Sequence, residues 1–384
     1  MSDSALLRLL DQFKCLADKC PDDCCHQWNA HVDKETLTKW QDIKNEARRD
    51  LLMSTIQPAA QNPGEMVLMR KENGNCVHLD DKGLCDIQRQ FSHDYLPRAC
   101  QLYPRDVGYK NTISFQTAHL SCPGIIQLLS KNSIQSLIVN EQVLYQPYNL
   151  DIISQLSCAI HKYMQNIFTI DEIYLGLKIY ALSNVLAEIM QLALEDTLTS
   201  DLLNDKYQLS ADDLAGQWIA WQQVSHNDEF EKAKTEIRIF LQKIETGLLS
   251  KYREQLERKL GVKIPNLSLT RFFKWRAKVD INRYEPFFEK YIRIKFLNSG
   301  FPWNPIQNNH TATYLECVIA LLLCHHMLIA YDEAGIDVDE KILEKITYTI
   351  EKVNGHSYDI IKLIGQKPDL LNLSRYNLMF SLLV

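Results

Sequence analysis

Eight of the eleven cysteines, Cys15, Cys20, Cys24, Cys25, Cys76, Cys85, Cys100 and Cys122, fall between residues 15 and 122 of a 384-residue chain. An even spread would put about three there. No other feature limits the fold as much, because so many thiols must be bridged, packed as small hydrophobes or gathered on a metal. The spacing is Cys-x4-Cys-x3-Cys-Cys, a long gap, then Cys-x8-Cys-x14-Cys-x21-Cys. The other three, Cys158, Cys317 and Cys324, sit in apolar helical contexts and read as core residues.

Which of the three fates applies depends on the compartment. Met1 to Phe13 has no basic region and no long apolar run, so the expectation is a cytoplasmic protein without a secretory leader. The longest apolar run, Cys317 to Tyr331, is interrupted by His325 and His326 and falls short of the ~20 residues that span a bilayer, so it reads as a buried core helix with no membrane insertion. A reducing compartment turns clustered cysteines from disulfides into metal ligands. With 46% hydrophobic residues the chain can build a sizeable core, so metal is not needed merely to rescue a small fold. A net charge of −6 argues against a nucleic-acid partner.

The spacing narrows the metal without naming it. Zinc ribbons use paired Cys-x2-Cys, and none is present. The ferredoxin run is absent. Cys20-x3-Cys24 begins the triplet of radical S-adenosylmethionine enzymes, but Gln27 stands where its third cysteine belongs. Thiolates suit both zinc and iron–sulfur clusters, and eight can form one four-thiolate site with accessories or two sites. His26, His78, His93 and His119 lie among them as candidate further ligands. His325 and His326, adjacent on a helix, point about 100° apart and are poorly placed to share a metal. Glycine-rich nucleotide loops, Gly-x-Ser-x-Gly and His-Glu-x-x-His are missing.

Along the chain, residues 1–12 read as an amphipathic helix, with a turn at Pro21-Asp22-Asp23 between Cys20 and Cys24. A helix capped by Asp33 is expected over 33–54. Met66–Arg70 and Cys76–Leu79 read as a hairpin turning at Glu72–Asn75, and 106–115 as a second, weaker one turning at Lys110-Asn111. From residue 126 the pattern is helical: 134–146, 150–167, 171–198, 210–225, 228–260, 284–298, 311–331, 337–353 and 356–364. The expected fold is mainly α. A cysteine-rich N-terminal part (1–125) with small β-hairpins and a metal site packs on an all-helical C-terminal domain (126–384). His226 to Gly300 carries 17 Lys and Arg against 10 Asp and Glu, leaving −13 on the rest. That segment is a candidate basic docking surface, with solvated helix faces as the simpler reading.

Several blocks occur together in order: Phe13-x-Cys15; Cys20-x3-Cys24-Cys25-x2-Trp28; Cys76-x2-Leu79-Asp80-x2-Gly83-Leu84-Cys85-x-Ile87-Gln88; Cys100-x2-Tyr103-Pro104-Arg105; and Ser121-Cys122-Pro123. With these the chain resembles the flagellin lysine N-methylase family. The cysteine-rich part also resembles a broader group of zinc- or iron-chelating domains. The likeness extends more weakly to Tyr284–Trp303 and departs at Phe91-Ser92 and Gly124. It implies methyl transfer from S-adenosylmethionine to flagellin lysines, and a cysteine-bound metal centre with a 4Fe-4S cluster favoured over zinc. Its motifs cover the eight cysteines as metal ligands and Tyr103 and Arg105 as catalytic candidates. Asp86 and Asp106 are acids close to the motifs, with solvated turn carboxylates as the simpler reading. The competing reading is a non-enzymatic metal-binding interaction module, and a third is a metal-trafficking factor.

Overall fold

The computed structural model describes residues 6–7, 9–25, 30–60, 62–110, 113–133, 138–139, 152–170, 173–194, 216, 228–302, 310–355, 360 and 363. The protein is mostly helical with small sheets, mainly antiparallel. The cysteine-rich part begins with β1 (Leu6–Leu7) and α1 (Leu9–Gln12), so the helix expected over 1–12 shrinks to its second half. Leu6 and Leu7 pair instead between two other strands, which removes their amides from helix formation. β2 (His31–Val32) leads into α2 (Lys34–Gln41), where Asp33 accepts the Thr36 amide at 3.0 Å. The single helix expected over 33–54 is two. Asn45 caps α3 (Glu46–Met53) by accepting from the Arg48 amide at 3.1 Å, and this new N-cap starts a second helix.

β3 (Ile56–Pro58) and β4 (Met66–Leu68) complete a three-stranded antiparallel sheet in the order β2-β4-β3. Both edges of β4 are therefore occupied, and Cys76–Leu79 cannot return along it as a strand. The turn between them still forms, closed by Lys71 N to Asn75 O at 2.8 Å with Gly74 at φ 84°, but only an isolated bridge joins Arg70 to Cys76. After α4 (Asp86–Gln90) and α5 (Arg98–Leu102), the second hairpin appears as expected. Its strands are β5 (Arg105–Lys110) and β6 (Ile113–Ala118), in register from Arg105↔Ala118 to Lys110↔Ile113. Its sheet runs β5-β6-β1-β7, with β1 parallel to β6.

The helical part opens with α6 (Pro123–Lys131). Ile138–Val139 forms β7 where a helix was expected, and the rest of 134–146 lies outside the described residues. α7 (Ile152–Phe168), α8 (Leu175–Leu194), α9 (Asp228–Ile244), a π turn (Glu245–Leu249) and α10 (Ser250–Leu260) follow the periodicity. So do α12 (Glu285–Asn298), α13 (His310–Glu333) and α14 (Glu340–Gly355), while α11 (Leu269–Arg276) forms before α12 in a stretch where no helix was expected. The helices expected at 210–225 and 356–364 fall outside the described residues except at positions 216, 360 and 363.

α13 is apolar on every side because it is surrounded: α11, α12 and α14 pack against it. By length and composition alone it could cross a membrane, yet 94% of its apolar stretch is buried inside the fold. Two apolar clusters result. The larger takes the helices together with Leu10, Ala118, Leu120 and Cys122. The smaller gathers Ala30, Val32, Trp40, Leu52, Leu68, Ile87 and Leu96, with Cys76, Cys85 and Cys100 packed against it. Trp40 is fully buried there, its indole N–H donating to Tyr95 O at 2.8 Å.

Candidate metal centre

The first thiol block is a loop given shape by carboxylates. A short 3-10 turn, Ala17–Lys19, follows Cys15, whose sulfur accepts the Ala17 amide at 3.4 Å. Asp22 Oδ1 accepts the Asp23 amide at 2.9 Å, and Asp23 Oδ1 accepts the Cys25 amide at 3.0 Å. These Asx contacts tighten the Pro-Asp-Asp turn and set Cys24 and Cys25 side by side, Sγ to Sγ 3.9 Å. The Cys25 carbonyl then accepts the Cys76 amide at 2.9 Å, which ties the first block to the second across the long sequence gap.

Each later thiol is placed by its own local device. Asp80 accepts the amides of Lys82 and Leu84, both at 2.9 Å, and Gly83 takes φ 73°, a conformation that suits glycine. That turn delivers Cys85 to the N-cap of α4, bridged to Leu79. Cys100 rides on α5, whose start is held by Asp33 Oδ2 accepting the Arg98 amide at 2.8 Å. Cys122 is the N-cap of α6.

These placements bring the sulfurs into mutual electrostatic reach. Cys25 feels Cys24, Cys85 and Cys76; Cys100 feels Cys85, Cys76 and Cys24; Cys20 feels Cys15 and Cys24; Cys122 feels Cys20 and Cys24. Cys25, Cys76 and Cys100 line one small cleft of about 20 Å³ with Ala30, Leu68, Met69 and Arg70. Among the described residues no three Cys, His, Asp or Glu lie close enough together to hold a metal ion.

The electrostatics say what such a group lacks. Burial, and then neighbouring thiols, push Cys100 far up; burial pushes Cys122 up to about 12 and raises Cys20, Cys76 and Cys85. Its contact with Cys25 lowers Cys24 to about 7, and the same contact drives Cys25 strongly upward. Half-buried thiols that resist ionisation together are what a soft cation relieves, since it binds the thiolate form and supplies the missing charge. The donor set suits a thiolate-bound metal.

The remaining candidates separate. His78 is buried, its Nε2 2.8 Å from Thr55 Oγ1; His93 starts a 3-10 turn; His26, Gln27 and Trp28 lie outside the described residues. Tyr103 stacks on His119, centroids 5.6 Å apart, with its hydroxyl 3.2 Å from Ser121 Oγ. Burial, then the Cys122 thiol, raises its pKa well above the usual value. His119 Nε2 stands 3.6 Å from Asp106. The Arg105 guanidinium covers the Phe13 ring at 5.5 Å. Asp86 pairs with Arg89. His326 meets Pro265 O at 2.8 Å and His325 packs edge-on against Phe288, so both belong to the core. Cys317 and Cys324 are also buried on α13.

Two groups of charges carried no sequence signal. Asp22 receives Lys259 and Lys352, each at 2.9 Å, from two helices far along the chain. Lys295 is buried between Glu316 at 2.9 Å and Glu351 at 3.0 Å. Both clusters draw on the 226–300 segment, where Arg253, Lys263, Arg271 and Arg283 also pair with acids. Much of its positive charge is therefore engaged within the fold.

Comparison with known proteins places partial likenesses beside this geometry. The chain resembles proteins named lysine-N-methylase. One from Salmonella typhimurium is 26% identical over 151 residues, 36% of this chain and 35% of the relative. One from Salmonella choleraesuis is 26% identical over 140 residues, with 36% and 35% covered. A Salmonella muenchen protein named flagellar biosynthetic protein FliU is 29% identical over 126 residues, 29% of this chain and 68% of the relative. The chain thus spans about 35% of the length of the lysine-N-methylases it matches. No family model matches, and no solved structure matches.

Proposed function

We propose that the protein transfers methyl groups from S-adenosylmethionine to lysine side chains of flagellin, and that its cysteines hold a metal centre, an iron–sulfur cluster in preference to zinc. The observation that carries this reading is the coincidence of two things. The partial likeness is to proteins named for lysine methylation and flagellar biosynthesis. Three cysteines of the motifs that suggested the same family, Cys25, Cys76 and Cys100, line one cleft.

The residues that would hold the metal come from both blocks: Cys24 or Cys25 from the turn, with Cys76, Cys85 and Cys100. Such a centre would supply a Lewis-acidic site for the amino-acid end of the methyl donor, or a cross-link that fixes the fold around it. In the transfer itself the lysine amine attacks the methyl carbon as the carbon–sulfur bond breaks. The bonding pair goes to sulfur, a neutral thioether leaves, and the methylated ammonium sheds a proton. The amine must arrive neutral, although free lysine has a pKa of ~10.4, so desolvation is part of the task. Tyr103, with its partly buried ring stacked on His119, offers an aromatic surface of the kind a sulfonium favours.

The test is co-expression of the anaerobically handled protein with a flagellin, followed by mass spectrometry of the flagellin lysines. Methyl increments support the reading. Their absence with metal-loaded protein that also fails to bind S-adenosylmethionine by calorimetry overturns it in favour of a non-enzymatic module. A visible charge-transfer band with iron and sulfide in the protein supports the cluster, whereas a colourless zinc protein removes that part.

A further inference from the structure

The turn that presents Cys20, Cys24 and Cys25 is also held from outside itself. Its centre, Asp22, has a side chain only 10% exposed and accepts from Lys259 Nζ with both oxygens, at 2.9 and 3.1 Å. Lys352 Nζ stands 2.9 Å from the same carboxylate, donates to the Asp23 carbonyl, and is 5% exposed. Lys259 is in the last turn of α10 and Lys352 in the last turn of α14, and these helices pack against each other. Tyr348, one turn before Lys352, lies within electrostatic reach of Asp22 and Cys20. Two helices therefore reach the thiol turn at one point. These ion pairs add to the turn's own Asx contacts and to the Cys76 amide on the Cys25 carbonyl; an irregular loop less well tied samples many arrangements of its sulfurs, whereas a metal needs one.

We propose that Asp22, Lys259 and Lys352 form a positioning clamp. Through it the helical part of the chain holds the Cys20–Cys25 turn in its metal-retaining shape, so that retention is governed by two lysines, one 237 residues from Asp22 and the other 329 residues from Asp23 in sequence. The ammonium groups are not ligands, and Asp22 is engaged with them rather than offered to a metal. All three act through the backbone they fix, as outer-shell groups do around metal sites. The metal half of the proposal rests on the metal centre proposed above; the clamp itself rests on the ion pairs alone.

The experiment uses the full chain, purified anaerobically, with Asp22→Asn, Lys352→Gln, Lys352→Arg and the double variant Asp22→Asn/Lys352→Gln. Metal content is measured by mass spectrometry and metal loss is timed against a chelator. The two neutral single variants are expected to lose metal about tenfold faster than wild type. The double variant should lose it little faster than either, because both substitutions remove the same pair. Lys352→Arg should retain it, and circular dichroism should show the helices intact in all four. Wild-type retention in the neutral variants, or loss that merely follows loss of helical signal, overturns the clamp. A second measurement separates this from the metal reading. In metal-free protein, iodoacetamide should label Cys20, Cys24 and Cys25 faster in Asp22→Asn than in wild type. A wild type that never holds metal sinks the metal centre, and equal labelling sinks the clamp.

Discussion

Lys295→Met removes one ammonium from the middle of the helical core. Lys295 Nζ lies 2.9 Å from Glu316 and 3.0 Å from Glu351, and the three side chains are 4%, 12% and 4% exposed. Tyr291 donates its hydroxyl to Glu351, and Ser299 donates to Glu316 at 2.7 Å. Methionine fills a similar volume, so cavity formation is a minor contribution. The loss is electrostatic, since two carboxylates remain facing each other without their cation. Breaking a buried pair this way costs about 3–5 kcal/mol. At roughly 2–4 °C per kcal/mol for domains of this order of size, the melting temperature should fall by about 10 °C. Burial opposes the charge on Lys295, and Glu316 and Glu351 more than reverse that, so its pKa lies above the ordinary lysine value. A raised pKa makes the stabilisation complete below the ordinary value and lost only as pH rises through the higher one. The penalty should therefore be the same at every pH near neutrality. Adding Glu351→Gln should recover part of it by removing one stranded charge. Calorimetry on the three proteins is the assay. A melting temperature within a degree or two of wild type for Lys295→Met would falsify the buried ionised triad.

Other positions give simpler tests. Trp40→Ala should cost about 3–5 kcal/mol, because it empties the fully buried centre of the smaller cluster and strands the Tyr95 carbonyl; denaturant unfolding monitored through that part measures it. Asp33→Ala removes an acceptor shared by the start of α2 and the start of α5, and chemical denaturation should register a loss of about 1–2 kcal/mol; no change would mean water replaces the cap. In metal-free protein, alkylation of Cys24 should rise as pH passes about 7, while Cys122 stays inert until about 12; peptide mapping that finds the reverse order would contradict the contacts assigned to them.

Local patterns were legible wherever a short window carries the cause. The weak hairpin signal at 106–115 was matched by strands over Arg105–Lys110 and Ile113–Ala118, Asp33 capped its helix, and the apolar stretch ending at Tyr331 became the core helix. The pattern misled where a neighbour outbid the window. Leu6-Leu7 joined a sheet whose partners begin more than a hundred residues later, and Cys76–Leu79 lost its strand because β4 already had two neighbours. Tyr103 and Arg105, adjacent in one motif, point to different surroundings: one stacks beside His119 and the other covers Phe13.

By itself, then, the sequence determined that this would be a helical protein with a thiol-rich beginning, because helix periodicity and cysteine excess are properties of residue type and spacing. Only the tertiary structure decided which sulfurs share a cleft and that Asp22 meets Lys259 and Lys352. The physical reason is that a contact between positions as far apart as Asp22 and Lys259, 237 residues, or Asp23 and Lys352, 329 residues, leaves no mark on either local stretch. An aspartate in a turn and a lysine near a helix end look like solvated surface until the fold buries them against one another.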